Sequence, residues 1–169
     1  MKKFELTNEF ITNMFGTKLF RIRALVEFGD VEAGELGGYV EKESNLGHDD
    51  NAWVYGNAWV YGDAQVSGDA LVYGNAWVYG DAQVSGDARV YGNAWVYDNA
   101  WVYGNAQVSG DARVCGDARV CGNGDYAYAH GFGSVNRTTT FFRLKDGGVG
   151  VRCGCFYGTL AQFRDKIRE

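Results

Sequence analysis

From residue 51 to residue 122 small and branched apolar side chains return with a period of six, in twelve units of the form Asn/Asp-Ala-x-Val-y-Gly. Only Asp98 breaks the frame, standing where a closing glycine is due. In an extended chain alternate residues face opposite ways, so Ala52 and Val54 share an interior while Trp53 and Tyr55 face outward. The same reading carries through to Ala118 and Val120. A six-residue unit with an invariant inward Ala and Val predicts one flat side of a parallel β-solenoid, and twelve units predict four triangular coils. Each Gly-Asn or Gly-Asp step forms a corner, because glycine takes left-handed backbone angles and Asn or Asp bonds its own turn. The chain has no proline. That suits a structure in which nearly every amide must pair with a neighbouring coil.

The flanks carry different periods. Val40 and Leu46 keep the spacing of six, but Val54 follows Leu46 by eight, which predicts a two-residue insertion in the turn Gly47-His48-Asp49-Asp50. Upstream, Phe4 to Phe10 and Lys18 to Phe28 read as a hairpin, with Phe20, Ile22, Ala24 and Val26 alternating against Arg21 and Arg23. This hairpin is expected to cover the exposed edge of the first coil. Downstream the repeat dissolves at Gly124-Asp125-Tyr126-Ala127-Tyr128, and a loop leads to a second hairpin, Thr138 to Lys145 and Val149 to Phe156, turned by Asp146-Gly147-Gly148. A short helix follows, capped by Thr159 and Gln162, with Leu160, Phe163 and Ile167 as its apolar stripe. The division is therefore residues 1–38 as an N-terminal hairpin cap, 39–122 as the solenoid and 123–169 as a C-terminal loop, hairpin and helix cap.

The repeat resembles that of the hexapeptide-repeat, left-handed β-helix proteins, within them the Gly-Asn/Asp-Ala-rich group of bacteria and their phages and prophages. Leader residues Leu19-Phe20-Arg21-Ile22 and Gly34-Glu35-Leu36-Gly37-Gly38-Tyr39-Val40-Glu41 look like that group's entry into the solenoid. Thr138-Thr139-Thr140-Phe141 through Cys153-Gly154-Cys155-Phe156-Tyr157-Gly158-Thr159-Leu160 looks like a cap of its phage-encoded members. The resemblance implies an all-β, left-handed parallel β-helix. Its functional message is broad, because members range from acyltransferases to proteins without established activity.

Composition narrows the class. With 169 residues and a net charge of −5, the chain suits one domain and is too acidic for generic nucleic-acid binding. Met1-Lys2-Lys3 has no apolar run behind it, so neither a signal peptide nor a membrane span is expected. Four cysteines without such a signal point to reduced thiols and a cytoplasmic setting, that of a bacterial host if the protein is phage-encoded. Cys115 and Cys121 belong to different coil sides, which disfavours a disulfide. Cys153 and Cys155 are expected to point the same way from one strand, as buried small residues rather than metal ligands. No metal or cofactor is expected. Asp63, Asp69, Asp81 and Asp87 are explained by turn chemistry.

Outward positions recur every eighteen residues on one side. Trp59, Trp77 and Trp95 form a ladder continued by Arg113, with Tyr61, Tyr79, Tyr97 and Cys115 beside it. A second side bears Gln65, Gln83, Trp101 and Arg119, and the third Trp53, Leu71, Arg89 and Gln107. Stacked identical rings stabilise adjacent coils, and an exposed aromatic wall also suits homo-oligomerisation. Regular outward Thr rows of the ice-binding kind are missing.

Arginines gather toward the C-terminal end. Arg89, Arg113 and Arg119 lie in the later coils, and Arg137, Arg143 and Arg152 in the cap. A cap folded over the last coil would give a locally positive, aromatic-lined recess suited to phosphate or carboxylate. The expected site comprises Trp95 or Trp101 for stacking, Arg113, Arg119, Arg137 and Arg152 for charge, Ser134 and Thr139 for orientation, and His130 in the Gly-rich loop. The favoured function is non-catalytic capture of a small anionic or nucleotide-like host metabolite or immune signal. The enzymatic alternative is acyl-coenzyme A-dependent acyl transfer with His48 or His130 as base. A scaffold without ligand is the third.

Overall fold

The computed structural model describes residues 2–133 and 135–168, and the chain forms a parallel β-solenoid of about five turns. Strands β1 (Phe4–Thr12), β2 (Lys18–Ala24) and β3 (Leu36–Val40) precede the regular array. Twelve two-residue strands, β4 to β15, then follow at six-residue intervals from Trp53–Val54 to Arg119–Val120. Val60, Val78, Val96 and Val114 pair in register along one side, and all the repeat Ala and Val side chains are fully buried. The core is therefore a column of three valines and three alanines per turn. A triangular cross-section this narrow has no room for larger side chains.

The corners obey the predicted chemistry. Repeat glycines such as Gly68 and Gly74 have φ of 68° and 72°. Asp98 takes φ 57° at the same place, and its carboxylate accepts from Gly116 N–H at 3.3 Å, which offsets the strain of a left-handed non-glycine. The insertion also falls where expected. Val40 pairs with Val60 and Leu46 with Val66, twenty residues apart, whereas Val54 pairs with Val72 at eighteen.

The N-terminal segment does more than sit on an edge. β1 and β2 form the hairpin, and β2 pairs antiparallel with β3, which continues one solenoid side, giving a sheet of seven strands. This arrangement corrects one expectation. Trp53 does not face solvent: it is fully buried, with Phe28 and Phe4 against it at ring-centre distances of 5.3 and 6.2 Å. Gly37 leaves the room, since a Cβ there would lie 2.8 Å from the indole.

Both solenoid ends present unpaired backbone groups, and the caps supply partners. At the first end, Lys3 Nζ donates to the carbonyls of Asp50 and Ala52 at 2.7 and 2.9 Å, and Asn45 Nδ2 donates to those of Gly62 and Ala64. At the last end, Asn123 Oδ1, Tyr126 Oη, Thr140 Oγ1 and Asp125 Oδ2 accept from the amides of Gln107, Ser109, Arg113 and Cys121.

The C-terminal cap is larger than the predicted hairpin. Strands β16 (Tyr126–Phe132), β17 (Arg137–Arg143), β18 (Val149–Cys153) and β19 (Phe156–Thr159) make a four-stranded antiparallel sheet. The segment expected as a loop from His130 therefore begins inside a strand. One face of this sheet adds Phe142 to the solenoid core, while Val151 and Cys153 on the other meet Phe163 of helix α1 (Leu160–Lys166). Thr159 and Gln162 form the predicted capping box. The expected stripe is only partly engaged, because Phe163 is buried while Leu160 and Ile167 remain exposed. No helix among the described residues is long and apolar enough to cross a membrane.

Two outcomes follow. Trp53→Ala, which removes a fully enclosed ring, should lower unfolding free energy by about 3–5 kcal/mol, and Trp101→Ala by about 1 kcal/mol or less, in urea titrations. The second concerns pH. Desolvation lowers the Lys3 ammonium from 10.5 to about 8, against the opposing pull of Asp50, Asp49 and Asp69. Above pH 8 the folded chain has released a proton that the unfolded chain keeps, so stability rises with pH through this window. Burial raises Tyr79 from 10 to about 12, so above pH 10 the unfolded chain loses a proton that the folded chain keeps, and stability falls. The urea midpoint should climb between pH 8 and 9, level off as the unfolded Cys115 thiol ionises above 9 while burial keeps the folded one protonated, and drop beyond 10, and Lys3→Met should flatten the climb while sparing the drop.

Candidate functional site

The outward ladder predicted from the period is present as stacked rings. Trp59, Trp77 and Trp95 lie 4.5 and 4.8 Å apart and nearly parallel, and Tyr61, Tyr79 and Tyr97 follow at 5.0 Å. Where the ladder ends, the Arg113 guanidinium lies 4.3 Å from the Trp95 ring centre. Trp95 therefore has Trp77 on one face and Arg113 on the other, and only its edge is available to a ligand.

β16 docks on the last coil through alternate side chains. Tyr126 Oη donates to the carbonyl of Gln107 at 2.6 Å, Tyr128 reaches over Gly110, and His130 Nε2 lies 3.7 Å from Asp111 Oδ2. The other nitrogen of His130 shares a 2.9 Å hydrogen bond with Thr138 Oγ1. Glycine is required at the docking corners. A Cβ on Gly110 or Gly116 would fall 2.0 Å from the hydroxyl of Tyr128 or Tyr157.

Between this cap and the last coils lies an open cleft of about 310 Å³ lined by Asn93, Trp95, Asp111, Arg113, Arg137, Thr138 and Gly154. Asp111 is already engaged: Asn93 Nδ2 donates to it at 3.0 Å, and His130 faces its other oxygen. Neither Arg113 nor Arg137 forms an ion pair with a carboxylate among the described residues. Stacking on Trp95 holds the Arg113 guanidinium by its flat face and leaves its N–H edges for an acceptor.

Of the residues singled out from sequence, Trp95, Arg113 and Arg137 line this cleft and His130 sits at its rim. Trp101 and Arg119 belong to another side of the solenoid, where Arg119 donates to the carbonyls of Asn99 and Ala118 and lies 5.7 Å from the Trp101 ring centre. Arg152 sits under the cap, 6.0 Å from the Tyr97 ring centre. Thr139 is fully buried on the helix side of the cap sheet, so a one-residue shift in register hands the cleft to Thr138. Ser134 lies outside the described residues. His48, the other histidine considered as a base, stacks on Phe4 at 4.4 Å and accepts from Lys3 N–H through Nδ1. Asn93, Asp111 and Gly154 were missed. Asn93 and Asp111, eighteen residues apart, each stand two positions before a predicted site residue, Trp95 and Arg113, and could have been found from the period, whereas Gly154 comes near through the fold of the cap.

The cysteines also separate. Cys153 is buried beside Phe163, while Cys155, beyond the Gly154 turn at φ 57° and so outside that strand, is exposed; both line the apolar opening beside α1. Burial pushes the Cys115 thiol up, with Tyr97 as its hydrogen-bond neighbour. Among the described residues no group of three or more His, Cys, Asp and Glu converges on a point.

Residues 64–80, 82–98, 94–110 and 106–122 match the family described as YdcK beta solenoid repeat. With the fold, these matches define a repeat β-helix protein. No curated protein matches the chain at a significant level.

Thiol titration checks the cap geometry. With a bulky aromatic disulfide, Cys121 and Cys155 should react rapidly in the native protein, and Cys115 and Cys153 only after denaturation.

Proposed function

We propose that this protein is a non-catalytic binding protein that captures a small anion, a phosphate- or carboxylate-bearing molecule of nucleotide-like size, in the cleft between the last coil and the C-terminal cap. The observation that carries the reading is the pair Arg113 and Arg137, which line one cleft without a carboxylate partner among the described residues. One guanidinium is already oriented by Trp95, so less side-chain freedom is lost on binding. In an acidic chain such a basic cleft favours a compact anion over a long polyanion, which the surrounding carboxylates would repel. Resemblance to the Gly-Asn/Asp-Ala-rich proteins of bacteria and their phages supports a host metabolite or immune signal as the captured molecule, in the cytoplasm.

The half-buried Trp59, Trp77 and Tyr61, Tyr79 rows support self-association through that solenoid side. A second reading, acyl transfer, is favoured by one feature. His130 stands between Asp111 and Thr138 at the cleft rim, an arrangement that could orient an imidazole base.

Native mass spectrometry of protein purified from cells should show an oligomer carrying a stoichiometric anion. In calorimetric titrations with AMP and inorganic phosphate at low salt, Arg113→Ala and Arg137→Ala should each weaken binding about tenfold or more, as loss of a charge-assisted hydrogen bond requires. Unchanged affinity in both folded variants would overturn the reading. Acyl-coenzyme A turnover abolished by His130→Ala would replace it with the enzymatic one.

A further inference from the structure

Arg137 lines not one cleft but two. On its far side, an opening of about 350 Å³ is lined by Phe132, Cys153, Phe156, Phe163 and Ile167 with Arg137 and Lys166 at its rim. This volume is within the range of small-molecule sites, about 300–1,000 Å³. The geometry of the shared residue depends on Gly154. A Cβ at that turn would lie 2.9 Å from Arg137 Cδ, so only glycine lets the arginine stem rest across the β18–β19 turn between the two openings.

The second opening is apolar because α1 leaves part of its stripe unused. Phe163 packs among Phe132, Phe141 and Phe156 at ring-centre distances of 5.5–6.0 Å. Ile167, one turn further on, is 62% exposed at the opening. Three aromatic rings, Cys153, Cys155 and Ile167 offer burial to hydrocarbon, and among the described residues no side-chain amide or carboxylate lines the opening to read the polar edge of a nucleobase.

We infer that the two openings form one site for an amphipathic anion: the charged head between Arg113 and Arg137, and an acyl tail in the Phe132, Phe156, Phe163 and Ile167 cleft. This deepens the proposed anion-binding role and rests on it. Arg137 is the joint. Its guanidinium neutralises the head, and its position over Gly154 brings the head to the mouth of the apolar cleft.

Calorimetric titration of the intact protein with acetate, hexanoate and decanoate, the last below its micellar concentration, tests the inference beside inorganic phosphate and AMP. Affinity should strengthen about two- to fourfold per added methylene until the cleft is full. Ile167→Ser should remove most of that gain while leaving phosphate affinity unchanged, and Arg137→Ala should weaken phosphate and decanoate alike. If phosphate binds but decanoate binds no tighter than acetate, the acyl inference fails and the anion site stands. If AMP binds far tighter than phosphate while the acyl series is flat, the tail class is wrong and the occupant is a nucleotide. Decanoate binding that ignores Arg137→Ala would overturn the joined site. Failure of every anion to bind overturns both readings.

Discussion

Backbone pairing between successive coils is the constraint from which the rest follows. Each side of a turn donates and accepts along the solenoid axis, as Trp59 N–H does to Ala76 and Tyr61 N–H to Val78. Such a ladder is satisfied everywhere except at its two ends, where unpaired groups would template another strand. The chain meets that demand twice, by different means. At the first turn a lysine ammonium and an asparagine amide reach the carbonyls, and at the last turn asparagine, aspartate, threonine and tyrosine oxygens reach the amides.

Closing the ends has consequences for chemistry. To bring its hydroxyls and carboxylate over the last coil, the C-terminal cap lays a four-stranded sheet against it, and the basic cleft lies between that sheet and the last coils. Arg113 loses the indole that would have followed Trp95 and stands in its place, a cation at the end of an aromatic stack. Arg137 arrives from the cap side, so the basic cleft exists only where repeat and cap meet.

The N-terminal cap shows the same logic with a different result. Its aromatic residues enclose Trp53 completely, while His48 stays half-buried, stacked on Phe4 and held by the Lys3 N–H, and burial lowers the Lys3 ammonium to about 8. The N-terminal end is thus built around a buried ring and the C-terminal end around a basic cleft.

A six-residue period with alternating faces is a local property, so the Ala and Val core, the glycine corners, the Trp and Tyr ladders and even the two-residue insertion after Leu46 were readable from residue order alone. The capping box at Thr159 and Gln162 was readable for the same reason. Only the packing of distant segments decided that Trp53 is buried, that Tyr126 to Phe132 is a strand, and that Thr138 rather than Thr139 faces the cleft. These outcomes depend on which cap surface meets which coil, and on the pairing register of an antiparallel sheet, where a slip of one residue exchanges the faces. Arg113 and Arg119, six residues apart and already assigned by the period to different sides, were nonetheless expected to share one site. The solenoid turns its corner between them, and that corner separates an arginine that lines the cleft from one spent on its neighbours' carbonyls.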